Sequence, residues 1–347
     1  MRPDRQRCPG LAVAVVLALA TAAVAHAEAT HLLVVSGLGG EDSFSESFLQ
    51  WAIAIGEAAE DAGIPAANVR VLAEYPMASA GIAGKSTREN VLAALAEMNA
   101  ASSQGDHLWL VLIGHGSYDQ GVSKLSLAGP DLTDGDLLDV LDSIEERQLA
   151  VINTSSASGG FVATLSGPNR VIVTATKSPA QKNQTVFGQY FAEALGSDSS
   201  DQDEDGAISL LEAFHFASDR VARHYESERL LRTEHALLDD NGDRNGSANP
   251  QSLGGESGNE DGLLAHRMIL AQRQDTELNP EQEALSTKRR TLTTRLDQLR
   301  RQRSTLSASL YQQELESLLI EIAKIDRELR AASATERVAP IDSEEPR

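Results

Sequence analysis

The 347-residue chain carries one cysteine, Cys8. It lies ahead of an apolar run, Leu11 to Ala25, that starts after Arg2, Arg5 and Arg7 and ends in the small-x-small step Ala25-His26-Ala27. This is the pattern of a secretory signal peptide over residues 1–27, cleaved after Ala27. The expected mature chain then has no cysteine. It can form no disulfide, although export leads to a compartment that permits them, and it holds no thiol nucleophile. The position of Cys8, before the apolar run instead of after it, argues against a lipoprotein. The run itself, 15 residues, is short for a membrane span, so a retained anchor is the second reading. No later stretch is long and apolar enough to cross a bilayer, so the expected location is periplasmic or secreted.

Basic residues are also scarce. Lys and Arg number 30 against 51 Asp and Glu, a formal charge of −21. Residues 1–27 hold three arginines and Asp4, a net +2, so their removal leaves −23. Such a surface repels nucleic acid and anionic lipid and attracts cations or basic partners. His31, His107, His215, His224 and His266 show no metal-ligand spacing, which leaves zinc without support. Gly84-Lys85-Ser86-Thr87 resembles the end of a nucleotide loop, but position 79, where the first glycine belongs, is Ser79. No internal repeat is visible.

What the chain does have is an alternation of strand-like and helix-like segments over residues 28–240. Apolar runs at Leu32–Gly37, Val69–Leu72, His107–Ile113, Leu149–Ile152 and Arg170–Thr176 read as strands. Between and after them, 43–62, a helix to Met98 opened by a capping box at Ser86-Thr87-Arg88-Glu89, a helix from Thr133 to about Glu146, 187–195 and 210–225 read as helices. Alternation of this kind predicts an α/β fold, a mostly parallel sheet with helices on both faces. Residues 241–279 read as a linker containing a short helix from Leu263 to Arg273. Over 280–332 two apolar series appear, Leu285, Leu292, Leu296, Leu299, Leu306 and Leu310, then Tyr311, Leu315, Leu318, Ile322, Ile325 and Leu329. The second has heptad spacing. The first half is basic and the second more acidic, so the halves are expected to pair as a coiled-coil helical hairpin. One long helix joining two chains into a homo-oligomer is the alternative. Residues 333–347 read as a disordered tail.

Two short motifs fall at strand ends, where ligands sit on parallel sheets. The strand 107–113 delivers Gly114-His115-Gly116-Ser117, and the next delivers Thr154-Ser155-Ser156-Ala157-Ser158-Gly159, with Ser156 41 positions after His115. In this order they resemble the caspase-fold cysteine peptidases, nearest to the legumain-like branch and its bacterial relatives, over roughly residues 30–240. The resemblance implies that His115 stands at the proton carrier and Ser156 at the nucleophile, with Thr154 at an acidic position of the family motif. It also implies that Thr174-Ala175-Thr176-Lys177 follows a strand lining the substrate cleft. The amides of Gly116 and Ser156 would be the oxyanion donors.

The serine changes the chemistry expected. A thiol is partly ionised at neutral pH and attacks without a closely held base. A hydroxyl needs an aligned base that a third group orients. No acidic neighbour in sequence obviously orients His115; Asp119 is the nearest candidate. The expectation is a peptidase-like protein that no longer cleaves and acts in peptide or protein binding. The alternative is a hydrolase using Ser156 and His115. A third reading has both residues merely ending strands of an unrelated α/β fold.

A second signal is separate from the first. Residues 201–212, Asp201-Gln202-Asp203-Glu204-Asp205-Gly206-Ala207-Ile208-Ser209-Leu210-Leu211-Glu212, fit the twelve-residue calcium loop of EF-hands. Asp201, Asp203 and Asp205 supply hard oxygens, Gly206 the sharp turn, Ala207 a carbonyl. Ser209 acts directly or through water, and Glu212 closes the site with both oxygens. Calcium is therefore the expected cofactor. Asn241, Asp243 and Asn245 make a weaker cluster without an acidic closing residue, since Ser252 stands there, and a turn is preferred. Thr233-Glu234-His235 could reach the cleft, with an ordinary surface or packing role for His235 as the equal alternative.

Overall fold

The structure, a computed structural model, describes residues 28–76, 81–144, 147–203, 205–251, 260–272 and 306–336, with separate positions between 284 and 299. The predicted signal segment and residues 337–347 lie outside the described residues, as does Ser252.

The chain opens with strand β1 (Thr30–Ser36), helix α1 (Asp42–Asp61), β2 (Val69–Ala73), β3 (Ile82–Lys85), α2 (Arg88–Ala101) and β4 (His107–Ile113). A small hairpin set, β5 (Gly116–Asp119), β6 (Val122–Leu125) and β7 (Leu132–Thr133), precedes α3 (Asp134–Leu141). Then come β8 (Gln148–Asn153), α4 (Gly160–Leu165), β9 (Arg170–Thr174), α5 (Phe187–Leu195), β10 (Ala207–Ser209), α6 (Leu210–Ser227) and β11 (Leu237–Asp239). The short helix α7 (Leu263–Arg267), β12 (Ile269–Gln272) and the long α8 (Ala308–Glu336) follow.

Among the described residues the central sheet has seven strands in the order β11-β9-β8-β4-β1-β2-β3, all parallel except β11. The predicted mostly parallel α/β sheet is thus what the chain forms. The reason is visible along each strand. Leu32 and Val34 of β1, with Trp109, Val111 and Ile113 of β4, face α1, α5, α6 and α7 in one core. Leu33, Val35, Leu108, Leu110 and Leu112 face α2, α3 and α4 in a second. Strands covered on both sides have no polar face to show, hence the continuous apolar runs.

From β1 the sheet is built outward in two directions, to β2 and β3 on one side and to β4, β8 and β9 on the other. The reversal falls between β1 and β4, and a crevice opens at the carboxyl ends of strands flanking such a point. His115 follows β4 there. Leu112 of β4 lies opposite Asn153 of β8, so both motifs leave adjacent strands of one sheet.

Four local expectations are corrected. The N-cap of α2 is Thr87, whose hydroxyl accepts from Asn90, and not Ser86 of the predicted box. Ser86 is buried in the turn instead, so its side chain cannot serve a helix end facing solvent. The helix predicted over 263–273 stops at Arg267, because the next residues pair as β12 with β10. Leu264, Ala265, Met268 and Leu270 join the core shared with α1 and α6, so residues 260–272 belong to the globular part. Finally, α8 runs to Glu336, four residues into the predicted tail.

Leu292, Leu296 and Leu299 cluster with Leu318 and Ile325, with Leu285, Leu306, Tyr311, Leu315, Ile322 and Leu329 around them. The two apolar series therefore meet in one cluster separate from the main cores, except Leu310, which is exposed and lies on α8 with the second series. Among the described residues no helix is long and apolar enough to cross a membrane.

Candidate functional site

Both motifs are held by backbone contacts that only small residues allow. A Cβ on Gly116 would meet the carbonyl oxygen of Ser156 at 2.1 Å, and one on Gly159 would meet the amide nitrogen of Ser178 at 2.3 Å. Gly160 faces Ser123 Oγ at 2.2 Å in the same sense. The turn between β8 and α4 is tied on every side. Asn153 Oδ1 accepts the amide and hydroxyl of Ser155, at 3.0 and 2.7 Å. Thr154 Oγ1 donates to the carbonyl of Leu112, and Thr185 Oγ1 donates to the carbonyl of Thr154. Ala157 adopts a left-handed φ of 53° and donates its amide to the Gln181 carbonyl at 2.7 Å. Left-handed backbone at a non-glycine residue is uncommon and persists where surrounding contacts fix it.

Ser156 is 3% exposed, and its hydroxyl is engaged with the backbone of Gly116. Ser156 Oγ accepts the Gly116 amide at 3.0 Å and donates to the Gly116 carbonyl at 3.2 Å. The expected oxyanion donor at Gly116 is thus committed to the serine itself. His115 sits next to it along the chain but makes a different set of contacts. Its ring is met edge-on by Phe44, at 5.0 Å and 89°, and by Phe48, at 5.1 Å and 72°, both from α1. Among the described residues no hydrogen bond joins His115 to Ser156. Asp119, the candidate orienting group, lies at the exposed end of β5, paired with Val122. A hydroxyl without a base is a poor nucleophile.

Gln181, which the sequence did not single out, and the segment of Glu234 and His235 complete the surroundings. Gln181 bridges two segments, since its carbonyl holds Ala157 and its side-chain amide donates to Nδ1 of His235 at 2.7 Å. Burial, then Arg232 and Lys177, push the His235 imidazole below its usual pKa. Glu234 is 1% exposed and accepts the amides of Val186 and Phe187 at 3.0 and 2.8 Å. It therefore caps α5 from 47 residues away, at a helix end whose own N-cap residue, Val186, supplies no side-chain bond. Burial pushes its carboxyl up to about 7, against those two amide bonds.

The predicted calcium loop precedes and includes β10. Asp201, Asp203 and Asp205 each offer a carboxylate oxygen, all within 4.8 Å of one another, a group able to hold a metal ion. Asp201 also accepts the amides of Asp205 and Gly206, and Gly206 has the left-handed φ of 82° that the turn needs. Burial, with the neighbouring Asp205, Glu212 and Asp203, pushes Asp201 up to about 6. Asp203 Oδ1 is buried with no hydrogen-bond partner among the described residues.

Ser209 and Glu212 are placed differently from the expectation. They form a capping box at α6, with Glu212 Oε2 accepting the amide and hydroxyl of Ser209. Glu212 Oε1 accepts the amides of Gln202 and Asp203. Glu212 thus closes the loop on the backbone, and Ala207 pairs with Gln272 of β12. In the weaker cluster, Asn241 and Asp243 make one-turn bonds to the amides of Asp243 and Asn245, and Asp239, Asp240 and Asp261 hold the surrounding chain. This is the preferred turn.

No protein-family model matches the chain, and no curated protein matches it. Among solved structures, protein GSU0716 from Geobacter sulfurreducens is similar, with a TM-score of 0.41 and 12% identity over 61% of this chain and 92% of that one.

Proposed function

We propose that this is an exported protein of the caspase-fold, legumain-like peptidase type that does not cleave and that binds a peptide or protein partner, with calcium at the 201–212 loop. The observation that carries the reading is the engagement of Ser156. A serine whose hydroxyl is spent on the Gly116 backbone, beside an imidazole held by two phenylalanine rings, lacks the base that a hydroxyl nucleophile requires. Its position supports the family resemblance all the same, because His115 and Ser156 follow the neighbouring parallel strands β4 and β8, the first of which flanks the switch point of the sheet. The cleft would then serve recognition, as family folds do when their chemistry is lost.

The test compares wild type with Ser156→Ala, His115→Ala and Ser156→Cys on a peptide library with calcium present. Wild type and Ser156→Ala are expected to show no cleavage. Cleavage gained by Ser156→Cys, and lost again on adding His115→Ala, would support an intact site lacking only its sulfur. Wild-type cleavage abolished by Ser156→Ala would replace this reading with that of a Ser156–His115 hydrolase.

The calcium part is supported by the hard oxygens of Asp201, Asp203 and Asp205 and by the unpartnered Oδ1 of Asp203. Calcium at a hundred times its Kd should stabilise the protein by about 2.7 kcal/mol. Thermal melts with calcium and with chelator check this, and Asp201→Asn should abolish the difference. Equal melting temperatures in calcium and chelator for wild type would remove the claim.

A further inference from the structure

Two of the three aspartates that would hold a cation already hold one from the chain itself. Arg289 lies on the basic side of the C-terminal arm. Its Nη1 is 2.6 Å from Asp205 Oδ2 and its Nη2 is 2.8 Å from Asp203 Oδ2. The guanidinium side chain is only 16% exposed. A forked, half-desolvated pair of this kind is much stronger than a solvated surface pair. It spans 84 to 86 positions of sequence, so it fastens the arm to the loop.

The same carboxylates, with Asp201, bring their oxygens to within 4.8 Å of one another. A divalent ion drawing on them would sit beside a full positive charge in a partly buried setting, where repulsion is poorly screened. The loop and the arm are also joined by the backbone. β10, inside the loop, pairs with β12, the last described strand before the arm.

We propose that Arg289 is an internal competitor for the cation. Without calcium the arm is docked on the loop through Arg289; with calcium the guanidinium leaves and the arm is released. The inference rests on the calcium reading above. By linkage the competition is reciprocal, so whatever draws the arm away must tighten calcium binding by the same factor.

Calorimetric titration of the full chain with calcium tests the first half. Arg289→Ala and Arg289→Gln should each bind calcium roughly tenfold more tightly than wild type, the scale of one lost charge-assisted pair. The second half needs a distance. In a Cys8→Ser background, cysteines at Ser227 on α6 and Ser309 on α8, both exposed, accept spin labels without competing thiols. Calcium should lengthen the label separation in the otherwise wild-type chain, and Asp201→Asn should block the change. Equal calcium affinity in wild type and both Arg289 variants would overturn the competition while leaving the calcium reading intact. Tighter binding in the variants with an unmoved label distance in wild type would overturn the release. If neither wild type nor variants bind calcium, the calcium reading fails and this inference falls with it.

Discussion

Gly116→Ala should lower the melting temperature by roughly 10 °C, the shift expected for a loss of about 3 kcal/mol in a domain of this size. The added Cβ would stand 2.1 Å from the Ser156 carbonyl oxygen, 2.7 Å from Ser155 Oγ and 3.1 Å from the Lys124 carbonyl. Two of those three atoms are backbone and cannot rotate aside. Relief requires that the end of β4 part from the turn after β8, which also breaks the Ser156–Gly116 pair. Gly121→Ala is the comparison. Gly121 has a left-handed φ of 89° but nothing within 4 Å of a new Cβ, so only the backbone preference is lost, about 1 kcal/mol. Thermal melts of the two variants separate close approach from conformational strain. A Gly116→Ala melt no lower than that of Gly121→Ala would refute the packing argument.

The second large effect is a pH dependence owed to Glu234. Its carboxyl titrates near 4.5 when the chain is unfolded and at about 7 in the fold, where burial disfavours the charge. Between those values the folded state keeps a proton that the unfolded state has lost. Stability therefore falls as pH rises through this window and levels off above about 7. The shift corresponds to about 3 kcal/mol. Glu234→Gln removes the titration. At pH 4.5, where the folded wild type keeps its proton, the variant should be the less stable by about 1 kcal/mol, since an amide accepts with one oxygen where the carboxyl group uses two; at pH 8, where the wild type has lost about 3 kcal/mol to ionisation, the variant should be the more stable by about 2 kcal/mol. Asp201 and Asp261, each pushed up to about 6 by burial first of all, slope the same way in both proteins. The measurement is the difference between wild type and Glu234→Gln in denaturant unfolding at pH 4.5 and pH 8. Parallel stability curves for the two proteins would sink the assignment.

The parallel sheet was legible because strands buried on both faces must be apolar throughout, as β4 and β8 are. Helix caps were legible in part. Ser209 and Glu212 carry the spacing of a capping box and of a calcium loop at once, and only the packed structure shows the box formed. The β5–β6 hairpin went unseen for a physical reason. Its two-residue turn is Gln120-Gly121, both left-handed, and glutamine is not the residue by which such turns are recognised. The partners of Glu234 and Arg289 were out of reach, although both residues stand out in sequence, one beside His235 and one in the basic half of the C-terminal segment. Each acts across the fold on a helix end or a loop many residues away, and nothing in local spacing announces such a partner. Phe48 lies on the buried face of α1, and its contact with His115 depends on how α1 lies over the carboxyl end of β4, which no local spacing announces.

The antiparallel strand at the sheet's edge has a bearing on assembly. Leu238 of β11 exchanges both backbone hydrogen bonds with Ser247, so this border is already stitched to the chain's own return segment. A neighbouring copy, or an extended peptide, seeking to lengthen the sheet on that flank would first have to unpick those stitches. At the opposite flank β3 is only four residues long, and its last, Lys85, carries an exposed charge, the kind of border that discourages edge-to-edge accretion. Protein copies that meet are thereby steered toward helical surfaces and away from strand addition.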